Sequence, residues 1–243
     1  MIVNARDSGW EIIYQRSHAL LAAILVEAWR EEQHIPRWTE LVVAVAQHDD
    51  QEMFWDGSRH LTALGAPLDF TQGELDTTRE QAQAVIANAY RQGLWVALLV
   101  SRHNSFLHEP KRGQDTDLDD FLDEQQRNQE HWCDILGYSK DDLEQAYTFL
   151  RWGDRLSLIL CREQLPERER WLDVAPGIDG EMIRIQQRAN DTLALWPWVL
   201  EHDKLQVSVE VRHLSQLKFA DDDEFLEALD AAKIRTRQWT FCK

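Results

Sequence analysis

Trp38-Thr39-Glu40-Leu41-Val42-Val43-Ala44-Val45-Ala46-Gln47-His48-Asp49-Asp50 is the stretch on which the reading of this chain turns. Pro36 precedes it at the place of a first-turn proline, so the pattern predicts a helix over 38–47. Leu41, Ala44, Val45 and His48 recur at helical spacing, which puts an imidazole on the apolar stripe with Asp49 directly after it. An ionised side chain on such a face costs several kcal/mol unless it is paired or binds a metal.

Three other predicted helices repeat the feature. His18 shares a face with Leu21, Leu25 and Trp29, and His103 with Val96, Leu99, Val100 and Leu107. Asp154 shares one with Tyr147, Leu150, Leu158 and Cys161, and neither lysine nor arginine follows it three or four residues on. A lone histidine on an apolar face is more often a hydrogen-bonded core residue than a ligand. A lone buried aspartate is more often a helix cap or the partner of a distant arginine. Four such positions on four helices, one of them extended by Asp49, tip the balance toward a metal. Imidazole and carboxylate donors suit Mn, Fe, Co, Ni or Zn, as one ion or two.

Working outward, residues 2–5 and 10–15 are short β-type runs around the turn Arg6-Asp7-Ser8-Gly9. Ser17 is positioned to cap a helix reaching about residue 32. Periodicity disappears over 50–72, a loop long enough to be functional. Helices are expected over 77–92, 94–107, 118–136 and from Ser139 to about 161, the last with a capping-box start at Asp142. Beyond Trp171 the stretches 181–188, 192–199, 205–214 and 234–242 alternate like strands, with a short helix over 222–232. The expected fold is a single domain over 1–243, mainly α. Its helical core spans 16–163, and an antiparallel sheet forms where the β-rich part 171–243 packs with the hairpin 1–15.

The bulk numbers exclude several classes. With 43 acidic against 26 basic residues the net charge is -17, which argues against binding a nucleic-acid backbone. A small phosphorylated substrate stays open, because a metal reverses the field locally. Cys133, Cys161 and Cys242 form no CxxC pair, so neither a thiolate zinc site nor a disulfide framework is expected. The start lacks signal-peptide character, and the apolar runs near 20–26 and 94–100 are too short for a bilayer. The expectation is a protein of the cytoplasm, off the membrane; self-association stays open.

His18, then His48-Asp49, then Asp154, all on helices, resembles the H…HD…D ligand set of the HD superfamily of metal-dependent phosphohydrolases. His103 is similar to the additional histidines of dinuclear members, with His60 or His108 as candidates for a second. More narrowly, Ile2-Val3, Ser17-His18-Ala19, Gln47-His48-Asp49-Asp50, Leu98-Leu99-Val100-Ser101-Arg102-His103 and Asp154-Arg155-Leu156-Ser157-Leu158 look like an uncharacterised bacterial family of HD-like proteins. Gln51 stands where that family leads one to expect glycine.

The resemblance implies an HD-like helical core and a metal held by His18, His48, Asp49, Asp154 and, if dinuclear, His103. It implies hydrolysis of a small phosphoester or nucleotide, with Glu52, Asp50 or His103 as general base or supporting partner. Trp55 and Asp56, in the loop after the His-Asp pair, and Arg102, Lys111 and Arg112 are candidates for binding substrate. The alternatives are a di-iron HD-type oxygenase, which needs six protein ligands, and a non-catalytic metal- or ligand-binding protein.

Overall fold

The computed structural model describes residues 1–50, 59–72 and 79–243. The chain opens with a hairpin, β1 (Ile2–Arg6) and β2 (Gly9–Ile13), turned at Asp7-Ser8. Gly9 has φ 132, and a Cβ there would lie 1.9 Å from the Leu214 carbonyl oxygen. Only glycine allows β2 to start that close to its neighbour.

Six α-helices follow among the described residues: α1 (Gln15–Glu27), α2 (Trp38–Gln47), α3 (Arg79–Gln92), α4 (Leu94–His108), α5 (Thr116–Leu136) and α6 (Lys140–Cys161). The first starts earlier than the Ser17 cap implied, because the Ser17 N–H already bonds the Tyr14 carbonyl as part of the first turn. It also ends sooner, at Glu27, and a 3-10 turn covers Glu31–Gln33. Asp115 caps α5 and Gly137, with φ 71, ends it; Ser139 and Asp142 form the capping box of α6. The rest of the chain is β3 (Leu172–Pro176), β4 (Met182–Gln187), β5 (Leu193–Trp196), β6 (Lys204–Leu214), α7 (Asp222–Asp230) and β7 (Lys233–Cys242).

Here the fold departs from the mainly-α expectation. Among the described residues, helix accounts for 48% and strand for 22%, and the strands form a seven-stranded mixed half-barrel. Their order is β1-β2-β6-β7-β5-β4-β3, antiparallel except for the parallel contact of β5 with β7 at Leu193 and Phe241. The core is therefore not helical alone. Ile2, Ile13, Ile183, Ile185, Val207, Val209, Val211 and Phe241 from the strands share one buried cluster with Leu21, Leu99, Phe149 and Trp152 from the helices. The physical reason for the error is that strand pairing depends on distant partners. The strand β3 is five residues ending in proline, too short for an alternation signal, and a parallel contact leaves no local turn to read.

Helix α6 is the axis of the helical layer, buried at twelve positions from Leu143 to Cys161 and packed against α1. Trp29, Trp38, Phe149 and Trp152 interlock edge-to-face at one end of this contact, with centroids 4.5–5.0 Å apart. At its middle, a Cβ on Gly153 would lie 2.6 Å from Val26 Cγ2 and 3.1 Å from the Ala22 carbonyl oxygen. The two helices therefore approach to a distance that only glycine permits. No helix of the described residues is long and apolar enough to cross a membrane.

Four charged residues tie the hairpin to the end of α6 and to β7. Arg6 Nη1 donates to Glu163 at 2.8 Å and Arg6 Nε to Glu11 at 2.7 Å, while Arg237 binds Glu11 and lies 3.2 Å from Glu163. The hydrogen bond from Arg6 holds the Glu163 carboxyl below its ordinary range, against a partial burial that opposes it.

Gly153→Ala is expected to destabilise the protein by about 1–3 kcal/mol through overpacking, read as a lower urea midpoint at unchanged m. Glu163 releases its proton more readily folded than unfolded, so its stabilisation is present above the ordinary glutamate pKa, about 4.3. That stabilisation is lost as pH falls through the lowered folded value. The wild-type melting temperature should thus exceed that of Glu163→Gln at pH 7, and the gap should close below about pH 4. A gap independent of pH would show that the ion pair carries none of it.

Candidate metal centre

His18 lies in the first turn of α1, and its Nδ1 is 3.0 Å from Ser157 Oγ on α6. The Ser157 hydroxyl spends its hydrogen on the Asp154 carbonyl oxygen at 2.9 Å, so Ser157 accepts from His18 Nδ1. His48 is the residue that ends α2, and its Nδ1 donates to the Val45 carbonyl at 2.6 Å. That bond satisfies a carbonyl the helix end would otherwise orphan, and it fixes the ring. Both imidazoles thus donate through Nδ1 and present Nε2 to the same space.

Two carboxylates fill the other side. Asp49 Oδ2 lies 2.6 Å from His18 Nε2 and 3.7 Å from His48 Nε2, and Asp154 Oδ1 lies 3.2 Å from His48 Nε2. One donor atom from each of His18, His48, Asp49 and Asp154 lies within 4.8 Å of all the others. The histidines are fully buried, while Asp49 and Asp154 keep 16% and 14% of their side-chain surface, which leaves the cluster an opening on the carboxylate side. With both Nδ1–H groups committed, neutral imidazoles would set lone pairs against carboxylate lone pairs. The arrangement calls for positive charge between them, as protons or as a metal ion. Among the described residues neither lysine nor arginine pairs with Asp49 or Asp154.

The electrostatics follow. Burial opposes the charge on His48, but Asp49 and the hydrogen bond to Asp154 outweigh it and push the pKa up to about 9. Burial likewise opposes ionisation of Asp49 and Asp154, yet the imidazoles hold both below the usual carboxylate range, His48 foremost. A metal ion held by His18, His48, Asp49 and Asp154 would take the place of the imidazole protons and supply the same positive charge.

Behind these donors sits His103 of α4, its ring perpendicular to His48 with centroids 4.8 Å apart. Its Nδ1 is 3.2 Å from the hydroxyl of Tyr147, and burial, reinforced by His48, lowers its pKa to about 4. Tyr147 lies under the guanidinium of Arg102 at 4.5 Å, and its hydroxyl is pushed well above the ordinary range by burial.

Of the residues expected at the site, His18, His48, Asp49 and Asp154 come together, and His103 stands next to them outside the four-donor set. Asp50 turns to Arg16, 2.9 Å away. Arg102 forks onto Glu144 at 2.7 and 2.9 Å, Arg112 binds Glu109 and Asp123, and Lys111 sits in the 3-10 turn Glu109–Lys111 after α4. His60 packs against Phe225 and His108 against Phe121, so neither joins His103. Glu52, Trp55 and Asp56 lie outside the described residues. Ser157 and the Tyr147 hydroxyl were not foreseen as site groups; Ser157 lies one helical turn from Asp154, which is the signal that could have found it.

A family model described as a protein of unknown function (DUF3891) matches residues 1–216. The chain belongs to the DUF3891 family. The matched span contains all four donors of the DUF3891 centre, with Ser157, His103 and Tyr147, and ends before α7 and β7. Neither a curated protein nor a solved structure matches the chain.

His48→Ala and Asp49→Ala are each expected to lose the bound metal while the far-UV circular dichroism stays near wild type. Unchanged metal content in both would remove the assignment. Ser157→Ala should retain the stoichiometry but weaken affinity about 10–100-fold, measured by competition with a chromophoric chelator.

Proposed function

We propose that this protein is a metal-dependent phosphohydrolase acting on a small phosphoester or nucleotide. The observation that carries the reading is the convergence of two buried imidazoles and two largely buried carboxylates within 4.8 Å, with no arginine or lysine counter-ion among the described residues. The likeness to the HD superfamily rests on this H…HD…D donor set, not on the overall fold. The donors suit a divalent transition metal such as Mn, Fe, Co, Ni or Zn; carboxylates make a thiolate-type structural site a poor fit.

A divalent ion bound there supplies Lewis acidity, lowering the pKa of water and polarising a phosphoryl oxygen. The protein's part is positional. His18 and His48 are locked in orientation by Ser157 and the Val45 carbonyl, and Asp49 and Asp154 supply two negative charges on the side that retains some exposure. Four protein donors are fewer than an octahedral ion takes, which favours an open site over a closed structural one. Arg102, Arg112 and Arg16 are each committed to a carboxylate, Arg16 to Asp50 at 2.9 Å, so none of them is a free cation for a phosphate. His103 is a positioning residue behind His48. Glu52 keeps the role of base that the resemblance gave it, and Trp55 and Asp56 keep that of substrate contacts, from their place in the sequence after the His-Asp pair.

The test is a panel of p-nitrophenyl phosphate, its bis-ester and nucleoside mono- and triphosphates, run with protein loaded with each of the five metals. Turnover is expected with at least one metal, and Asp154→Asn should lower kcat by at least about a hundredfold, the order associated with losing one electrostatic contact in a transition state. Full metal occupancy with turnover on none of the substrates would overturn the reading.

A further inference from the structure

We infer that Tyr147 is a positioning residue of the metal centre: its hydroxyl takes up the Nδ1 lone pair of His103, puts that ring's hydrogen on Nε2, and so keeps a third imidazole out of the ion's coordination shell. The inference rests on the reading of His18, His48, Asp49 and Asp154 as metal donors and is independent of the reaction proposed for them.

Tyr147 and Asp154 stand seven residues apart on α6, two turns along one face, so the helix that supplies a donor also carries the phenol. The Tyr147 hydroxyl is 3.2 Å from His103 Nδ1, and both residues are buried. Burial holds the phenol in its protonated form. Its hydrogen therefore needs an acceptor, and among the described residues His103 Nδ1 is the hydrogen-bond partner that hydroxyl has. The hydroxyl donates, Nδ1 accepts, and a neutral His103 carries its own hydrogen on Nε2. Arg102 strengthens the arrangement. Its guanidinium lies over the Tyr147 ring at 4.5 Å, fixed there by its fork onto Glu144, and a positive charge so close makes the hydroxyl a better donor.

The orientation is the reverse of the one at the donors. His18 and His48 give their Nδ1 hydrogens to Ser157 and the Val45 carbonyl, which presents both Nε2 atoms to a metal. His103 stands beside them, perpendicular to His48 with centroids 4.8 Å apart, but an Nε2 that holds a hydrogen has no lone pair to offer. For Nε2 to bind an ion, the hydrogen would have to move to Nδ1. The Tyr147 hydroxyl would then be left buried without an acceptor, which is costly.

The test uses the full chain, isotope-labelled at the histidine nitrogens, with zinc as the metal. Two-bond proton–nitrogen spectra at neutral pH, with His103 assigned by the signals lost in His103→Gln, should show a bare Nδ1 and a protonated Nε2 for His103 both without zinc and with it. X-ray absorption of the zinc-loaded protein should count two imidazoles per zinc. Tyr147→Phe removes one oxygen and keeps the ring. In that variant His103 Nε2 should lose its hydrogen when zinc is added, the imidazole count should rise to three, and zinc should be held at least about tenfold more tightly. A bare Nε2 or three imidazoles in wild type would overturn the inference, as would a variant that matches wild type in both spectra. Wild type that takes up no zinc would overturn the donor reading and this inference with it. The two failures are distinguishable, because failure of this inference alone leaves zinc bound to wild type and lost from His48→Ala.

Discussion

Two carboxylates with little of their surface left exposed face two buried imidazole nitrogens, with no arginine or lysine among the described residues to balance them, and much of the helical layer is arranged around that fact. Each imidazole has already given its other nitrogen to an acceptor, Ser157 or the Val45 carbonyl. The nitrogens that face the carboxylates are consequently satisfied only by protons held between the two sets of lone pairs or by a metal ion common to them. Taking such charges out of water costs several kcal/mol each, and an ion common to all of them offsets that cost better than separate pairs would. The end of α2, the first turn of α1 and the middle of α6 must therefore meet, because each carries an indispensable part of the cluster.

That meeting is a packing problem before it is an electrostatic one. Gly153 adjoins Asp154, and its missing side chain lets α1 approach α6 closely enough for His18 to reach Ser157. The aromatic group of Trp29, Trp38, Phe149 and Trp152 fixes the other end of the same contact. The sheet then holds the helices in place: its inward residues share the helical core, and Arg6, Glu11, Glu163 and Arg237 join the end of α6 to the hairpin and the last strand. Rigidity at the metal donors is thus supplied from both layers.

Most of the helices were legible because each carries its own signal. Helix α2 begins and ends at Trp38 and Gln47 as its apolar period implies, although Arg37 is its N-cap and Pro36 therefore stands before the first turn, not in it; Ser139 with Asp142 marks the start of α6. His18, His48, Asp49 and Asp154 could be picked out because polar groups on apolar stripes conflict with burial, and that conflict is visible in a linear sequence. What was not legible depends on pairs of residues far apart. The parallel contact of Leu193 with Phe241, the strand β3 and the mixed half-barrel itself follow from tertiary pairing, and the expected mainly-α core failed there. The Ser157 support failed to stand out for a related reason: a serine inside a helix has many bland uses, and only the neighbouring helix shows which one applies. Arg102 read as a free cation in sequence because Glu144, which occupies it, lies far along the chain; for Arg112 the signal was local, since Glu109 stands three residues before it.

The length scale of these charges bears on what such a centre can act upon. A net charge of -17 gives the molecule a repulsive field for anions, and a bound divalent ion reverses it only nearby. At physiological salt the screening length is about 8 Å, so an anionic group beyond that range of the ion feels the acidic surface, weakened, more than the metal. A phosphoester whose charges all sit within one or two phosphates fits inside the favourable zone. A polynucleotide does not: its further phosphates would run out over carboxylates, with the nearby arginines already spent on Glu144, Glu109 and Asp123. On the function proposed above, a restriction to small substrates would come from the surface surrounding the centre, and the chemistry of the four donors alone would not impose it.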